Sequence, residues 1–272
     1  IEEDEVEGLW HPNQFVMMVS NANEKKTALA RFQSHHMPLK NIIHDKLPDW
    51  NINSRNKEQA FAMDLLMNPD IKIVSLIGRA GSGKALCAIA AGLQQTLGTG
   101  ENYYNRLIVS RPVQPLGKDI GFLPGTMHEK MLPWLMPIQD NLQYLLGDKN
   151  AMQMYIEKGK IEIEALTYIR GRSIADAYVV IDEAQNLTKH EIKTIITRIG
   201  DGTKIVLTGD IEQIDNIYVN ETSNGLAHAI ESFKQYPIAG HVTFKKGERS
   251  ELATLASKIW HGDKLSKINS PF

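Results

Sequence analysis

Gly78, Gly83 and Lys84, with Ala85 directly behind them, carry the most legible chemistry in this chain. Residues 78–84 read Gly-Arg-Ala-Gly-Ser-Gly-Lys and follow the template G-x-x-x-x-G-K-[ST] up to its final position. Glycine lets a backbone take positive φ and approach an oxygen closely. The successive N–H groups of Arg79, Ala80, Gly81 and Ser82 can therefore converge on a phosphate. Lys84 supplies a point charge for the outer phosphate oxygens, and Ala85 and Leu86 open a helix whose N-terminal dipole favours an anion. In the template the hydroxyl after the lysine gives Mg²⁺ one of its few protein oxygens. Ala85 has none to give, so phosphate binding is expected to survive with a weaker metal site and slower turnover.

Residues 177–181 form an apolar run that ends in Asp182-Glu183-Ala184-Gln185 and looks like a Walker B strand. At the carboxyl end of a parallel strand Asp182 can hold Mg²⁺ through water, and Glu183 can orient or deprotonate an attacking water. An acidic pair in this place also occurs as a plain helix cap. A third apolar run, 204–208, leads into Gly209-Asp210-Ile211-Glu212-Gln213, which makes Gln213 a candidate sensor of the γ-phosphate. Upstream, Asn56-Lys57-Glu58-Gln59 opens a helix, and the amide of Gln59 can donate to and accept from the edge of adenine. A solvated helix residue would look the same in isolation.

These residues need a scaffold that brings strand ends together. From residue 50 onward helical and buried-strand patterns alternate: helices at 55–67, 84–97, 127–146, 189–199, 225–234 and 249–260, strands at 71–77, 106–110, 161–166, 178–182, 204–208 and 240–244. Such alternation predicts a parallel sheet covered on both faces, with ligands at the carboxyl ends of its strands. Ahead of it, residues 1–7 are acidic. Apolar runs at 15–19 and 27–32 flank a polar turn and predict a small β-hairpin. The expected organisation is a β-rich N-terminal segment, residues 1–49, and one α/β unit, residues 50–272. His35 and His36 are adjacent, so in a strand they point opposite ways, and no Cys or Asp cluster accompanies them.

With these motifs the chain resembles the PhoH-like family, relatives of the first RecA-like lobe of superfamily 1 helicases. The resemblance spans about residues 50–260. It rests on Asn56 to Gln59, the Gly78 to Lys84 loop, Gly121-Phe122-Leu123-Pro124-Gly125, Ile169-Arg170-Gly171-Arg172, Asp182 to Asn186, Gly209-Asp210 with Gln213, Ser223-Asn224-Gly225-Leu226 and Gly247-Glu248-Arg249-Ser250. It implies a P-loop NTPase with a RecA-like parallel sheet, ATP and Mg²⁺ as cofactors, ATP hydrolysis, RNA binding or unwinding on single-stranded RNA, and a homo-hexameric ring. It also implies Arg249 as a phosphate-sensing arginine and Arg170 or Arg172 as an interface residue reaching a neighbour's site; Arg198 is a further candidate. In a two-domain branch of the family a PIN-type ribonuclease domain precedes the ATPase, and the opening at Ile1 rather than methionine fits such a C-terminal part. The Pro- and Gly-rich stretch 111–125 offers Arg111, Gln114 and Lys118 to phosphates and Phe122 to a base. Phe122 and Leu123 can equally plug that stretch into the core.

Composition limits the alternatives. The 272 residues suit one sizeable α/β core, and a formal charge of −2 from 30 basic and 32 acidic residues provides no general field for nucleic acid, so any RNA contact must be local. The single cysteine, Cys87, lies in the helix after the loop and reads as a packed residue; it excludes an internal disulfide. With neither a secretory leader nor an apolar run of membrane-spanning length, a cytoplasmic protein is expected. Two rival functions stay open: an ATP-dependent oligomerisation or RNA-binding switch with little turnover, favoured by Ala85, and a metabolite kinase.

Overall fold

The structure, a computed structural model, describes residues 10–42, 46–112, 127–169, 172–216, 219–220 and 223–245. Its N-terminal part is a hairpin of β1 (Phe15–Ser20) and β2 (Asn23–Arg31), extended by the short β3 (Lys40–Asn41). A small ladder of β4 (Lys46–Leu47) and β5 (Ile52–Asn53) follows. Then come α1 (Lys57–Met67), β6 (Ile73–Gly78), α2 (Lys84–Leu97), β7 (Arg106–Arg111), α3 (Met127–Leu146), α4 (Lys149–Glu157), β8 (Ile161–Ala165), the single turn α5 (Leu166–Ile169), β9 (Ala177–Ile181), α6 (Lys189–Ile196), β10 (Lys204–Gly209), α7 (Gly225–Phe233) and β11 (Ala239–Phe244).

Among the described residues, six strands make one sheet in the order β11-β6-β10-β9-β7-β8, with every neighbour parallel. The central strands β6, β10 and β9 are buried along their whole length, which is why they read as unbroken apolar runs rather than alternating ones. Val74, Leu76, Val180 and Val206 face one core layer with residues of α1, α2 and α3. Ile73, Ile77, Val179, Ile181, Ile205 and Leu207 face the other with α6 and α7. Register makes the strand ends level: Gly209 lies opposite Ile77, Leu207 opposite Ile181, and Ser110 opposite Ile181.

The helix α4 departs from expectation, its apolar stripe being confined to Met152, Tyr155 and Ile156, which pack on the core. Its start is nonetheless encoded locally. Gly147 leaves α3 at φ +73°, and the Asp148 side chain caps α4 by accepting from the Asn150 N–H. Lys204, at the start of β10, is fully buried. Its ammonium donates to the carbonyls of Leu65, Leu66 and Asn68 at 2.9, 2.7 and 2.8 Å, closing the C-terminal end of α1, while burial pulls its pKa well down. The N-terminal hairpin packs on the same helix. Phe15 stacks on Phe61 with centroids 4.3 Å apart, and Arg31 pairs with Asp64 at 2.7 Å, both side chains about 3% exposed. Asn13 donates to the carbonyls of Pro237 and Ala239 and accepts from Arg31, so the same cluster ties the hairpin to the edge strand β11. Residues 249–260, expected as a helix, lie outside the described residues, as do 113–126.

Removing one partner of a buried ion pair leaves the other charge unmatched, at a cost of ~3–5 kcal/mol. Asp64→Ala should therefore destabilise the chain by about that amount in urea unfolding, and the apolar double replacement Arg31→Met with Asp64→Leu should recover most of it. An Asp64→Ala curve that overlays the parent would remove this contact from the fold's supports.

Candidate active site

The loop of residues 78–84 connects β6 to α2 at the carboxyl edge of the sheet. Gly78 is required by a close approach: a Cβ there would lie 2.6 Å from the carbonyl oxygen of Phe244 on β11. Gly83 takes φ +86° as the N-cap of α2, a conformation glycine adopts without steric cost. Lys84 turns back over the loop, and its ammonium donates to the carbonyls of Gly78 at 2.5 Å and Arg79 at 2.9 Å and to the Ser82 hydroxyl at 3.3 Å. A nearly buried charge is thus satisfied by the loop itself. Ser82 is fully buried, whereas Arg79, Ala80 and Gly81 are exposed.

Gln59 sits beside this loop with both ends of its amide engaged. Its oxygen accepts from the Arg55 N–H at 2.8 Å, and its nitrogen is 3.4 Å from the Ser82 carbonyl. The amide keeps a second N–H and a second oxygen lone pair for an adenine edge. The N–H of Ala80 donates to the Asp210 carboxylate at 3.0 Å, and Arg79 pairs with Glu212 at 3.0 Å in an exposed bridge. The loop is therefore tethered to the turn after β10, a contact that sequence spacing does not reveal.

Opposite the loop, Asp182 and Glu183 follow β9. Asp182 accepts from the Thr208 hydroxyl at 2.6 Å, a consequence of the level register between β9 and β10. Glu183 takes φ +53°, uncommon for a residue with a Cβ, and precedes the 3-10 turn Ala184–Asn186 without capping it by its side chain. The plain-cap reading of the acidic pair therefore does not apply to Glu183. One carboxylate oxygen accepts from Arg111 at 3.0 Å and the other from Gln185 at 2.5 Å. Burial, with Asp182 alongside, pushes the Glu183 carboxyl up; the Gln185 hydrogen bond, Arg111 and Lys84 pull it part of the way back.

Gln185 is the hub. Fully buried, it donates to Glu183 and to the Gln213 carbonyl at 2.9 Å and accepts from the Asp210 N–H at 3.1 Å. Gly209 makes room for it, since a Cβ there would stand 2.6 Å from the Gln185 amide oxygen. Gln213 is exposed, its backbone pinned by Gln185 and by its own N–H to the Asp210 carbonyl.

A cleft of about 210 Å³ unites these parts: Ala80, Gly81, Gly83, Lys84, Ala85 and Leu86 line one side, Asp182, Glu183, Gly209, Asp210 and Gln213 the other. Asn141 of α3 also lines it, unmarked by any sequence motif. Its volume suits a phosphate tail more than a whole nucleotide, as ligand pockets run from about 300 Å³. A roomier cavity of about 390 Å³ lies at the far edge against His11, Phe233 and His241, and no loop or acidic-pair residue reaches it. The cleft suits Mg²⁺ in one respect. Asp182 is a hard oxygen donor beside the phosphate loop, while no group of three or more His, Cys, Asp or Glu with ligating geometry occurs among the described residues. A cation carried mainly by phosphate and water needs no such cage.

Other expected positions fall elsewhere. Arg172 pairs with Glu162 and Glu164 on β8, at the sheet edge away from the cleft. Arg249, Arg170, Gln114, Lys118, Phe122 and Leu123 lie outside the described residues. Arg111, read as a phosphate contact, pairs with Glu183 through one guanidinium nitrogen at 3.0 Å. Burial pushes the Cys87 thiol up to about 12, in keeping with a packed residue. No helix of the described residues is long and apolar enough to cross a membrane.

A glycine-rich loop between a buried parallel strand and a helix, facing an acidic pair two strands away, defines the P-loop NTPase class. A family model described as PhoH-like protein matches residues 51–260, and the chain belongs to that family. It is 48% identical over 253 residues to Protein PhoH2 of Bacillus subtilis (strain 168), covering 92% of this chain and 57% of that relative. Protein PhoH2 of Mycolicibacterium smegmatis is 38% identical over 211 residues, 77% of this chain and 47% of the relative. The PhoH-like protein of Bacillus subtilis is 41% identical over 158 residues, with 58% and 48% covered. The chain thus spans about half the length of these relatives.

Packing around Gly209 gives a direct check. Gly209→Ala should cost ~1–3 kcal/mol by overpacking and should shift the Gln185 side-chain amide resonances in an NMR spectrum. Unchanged stability and an unmoved Gln185 signal would show that the hub does not depend on this glycine.

Proposed function

We propose that the chain binds ATP with Mg²⁺ and hydrolyses it, and that turnover is coupled to single-stranded RNA within a homo-hexameric ring. One observation carries the enzymatic part: the phosphate loop and the acidic pair line a single cleft. Loop N–H groups and the N-terminus of α2 receive the phosphates, and Lys84 exchanges its carbonyl partners for phosphate oxygens. Asp182 holds the metal, which when bound neutralises charge on the phosphate oxygens. Glu183 accepts a proton from the attacking water as the water oxygen bonds to the γ-phosphorus and ADP leaves. Gln213 senses the γ-phosphate, Gln59 reads adenine, and Arg249 meets the charge that develops on the transferred group.

RNA coupling, the ring, the division at residue 50 and an upstream PIN-type domain rest on family resemblance. The family match beginning at residue 51 supports the division at residue 50. A cytoplasmic location belongs to the same reading. The second reading, a nucleotide-held switch with little turnover, is favoured by Ala85 together with the Lys84 ammonium resting on its own loop.

Phosphate release measured with and without single-stranded RNA separates the two. Hydrolysis predicts steady release that falls by about 10²–10⁴ in Glu183→Gln; a switch predicts ATP binding with release no faster than in that variant. Ala85→Thr should raise turnover by restoring a metal-facing hydroxyl. Equal rates for Ala85→Thr and the parent would show that residue 85 does not limit the reaction.

A further inference from the structure

Arg111 is placed on the acidic pair, 3.0 Å from Glu183. Arg31 is committed to Asp64, Arg79 to Glu212, and Arg106 and Arg172 to Glu162. The sheet dictates this placement. Ser110 lies opposite Ile181, and the Asp182 N–H donates to the Ser110 carbonyl at 2.8 Å, so the last residue of β7 stands level with the residues that follow β9. Glu183, swung round by its positive φ, then meets the guanidinium on one oxygen and Gln185 on the other.

We propose that Arg111 is a positioning residue for hydrolysis, clamping the Glu183 carboxylate against Gln185 so that it keeps one orientation in the cleft. A glutamate has three side-chain torsions, and a carboxylate held by one hydrogen bond can still pivot. Two donors from opposite sides remove that freedom before substrate arrives, where a misplacement of about 1 Å can cost ~10²-fold in rate. The pair does little for folding, because its side chains are 22% and 32% exposed and such bridges are worth little. Its effect is therefore expected in catalysis, with stability almost unmoved.

This inference rests on the ATPase reading above. Arg111→Gln and Arg111→Lys are made in the full chain, alone and with Glu183→Gln, and compared by kcat, KM, melting temperature and calorimetric affinity for a non-hydrolysable ATP analogue. Arg111→Gln should lower kcat by about 10–100-fold with KM, analogue affinity and melting temperature near parental values. Arg111→Lys should recover part of the loss, and Arg111→Gln should add nothing in the Glu183→Gln background. An unchanged kcat, a loss confined to KM and analogue affinity, or a loss that persists without Glu183 overturns the assignment. A parent chain that turns over while indifferent to Arg111→Gln defeats this inference alone. A parent chain with no turnover defeats the ATPase reading and this one with it.

Discussion

Level parallel pairing of β6, β10, β9 and β7 is the constraint on which the site depends. Each strand ends in a residue or turn with chemical capacity: the loop after Gly78, Thr208 to Asp210, Asp182 with Glu183, and Arg111. Slipping any strand by one residue would exchange the side chains it sends to the two core layers and carry its terminal residue out of the cleft. The two core layers therefore fix the site as much as they fix the fold. The register of β10 is anchored at its start by Lys204, whose ammonium is held on the carbonyls of Leu65 and Leu66 in α1 and of Asn68 just after it.

Onto this scaffold is laid a partly buried polar network centred on the fully buried Gln185: Ala80 to Asp210, Asp210 to Gln185, Gln185 to Glu183 and to Gln213, Arg111 to Glu183. It joins the phosphate loop to the acidic pair and to the turn that carries Gln213. Such networks hold shape only when satisfied, because an unmet polar group in a low-dielectric interior is costly. Two glycines protect it, Gly209 by yielding space to Gln185 and Gly78 by letting β11 pass.

Much of this was legible in the sequence, for reasons specific to each part. Buried parallel strands appear as contiguous apolar runs, so β6, β9 and β10 stood out within a residue or two of their ends, and the loop declared itself by glycine spacing. The contacts that hold Glu183 did not. Arg111 and Glu183 are 72 positions apart, and only the strand order, which sets β7 beside β9, brings them together. The Asp210 tether to Ala80 has the same origin. Gln185 was visible as part of an acidic motif, but its role as hub depends on a missing side chain at Gly209. The short helix α4 escaped because its nine residues hold one brief apolar stripe, Met152, Tyr155 and Ile156, behind a glycine exit and an aspartate cap.

Charge in the cleft bears on what it can receive. Three carboxylates, Asp182, Glu183 and Asp210, stand near two cations, Lys84 and Arg111, and Asp210 is already spent on backbone N–H groups. Unit charges ~4 Å apart interact by about 4 kcal/mol where the effective dielectric is ~20. A triphosphate entering alone would meet an acidic pair that Arg111 screens only on the Glu183 side, and Lys84 can offset only part of the remaining repulsion. Burial, with Asp182 alongside, already pushes the Glu183 carboxyl up. A divalent cation arriving with the phosphates reverses the balance, and Asp182, with one oxygen fixed by Thr208, offers it a prepared partner. Against the G-x-x-x-x-G-K-[ST] template, Ala85 offers the cation of the proposed ATP complex one neutral oxygen fewer and leaves the charge arrangement intact, so the proposal expects a weakened metal site rather than a lost one.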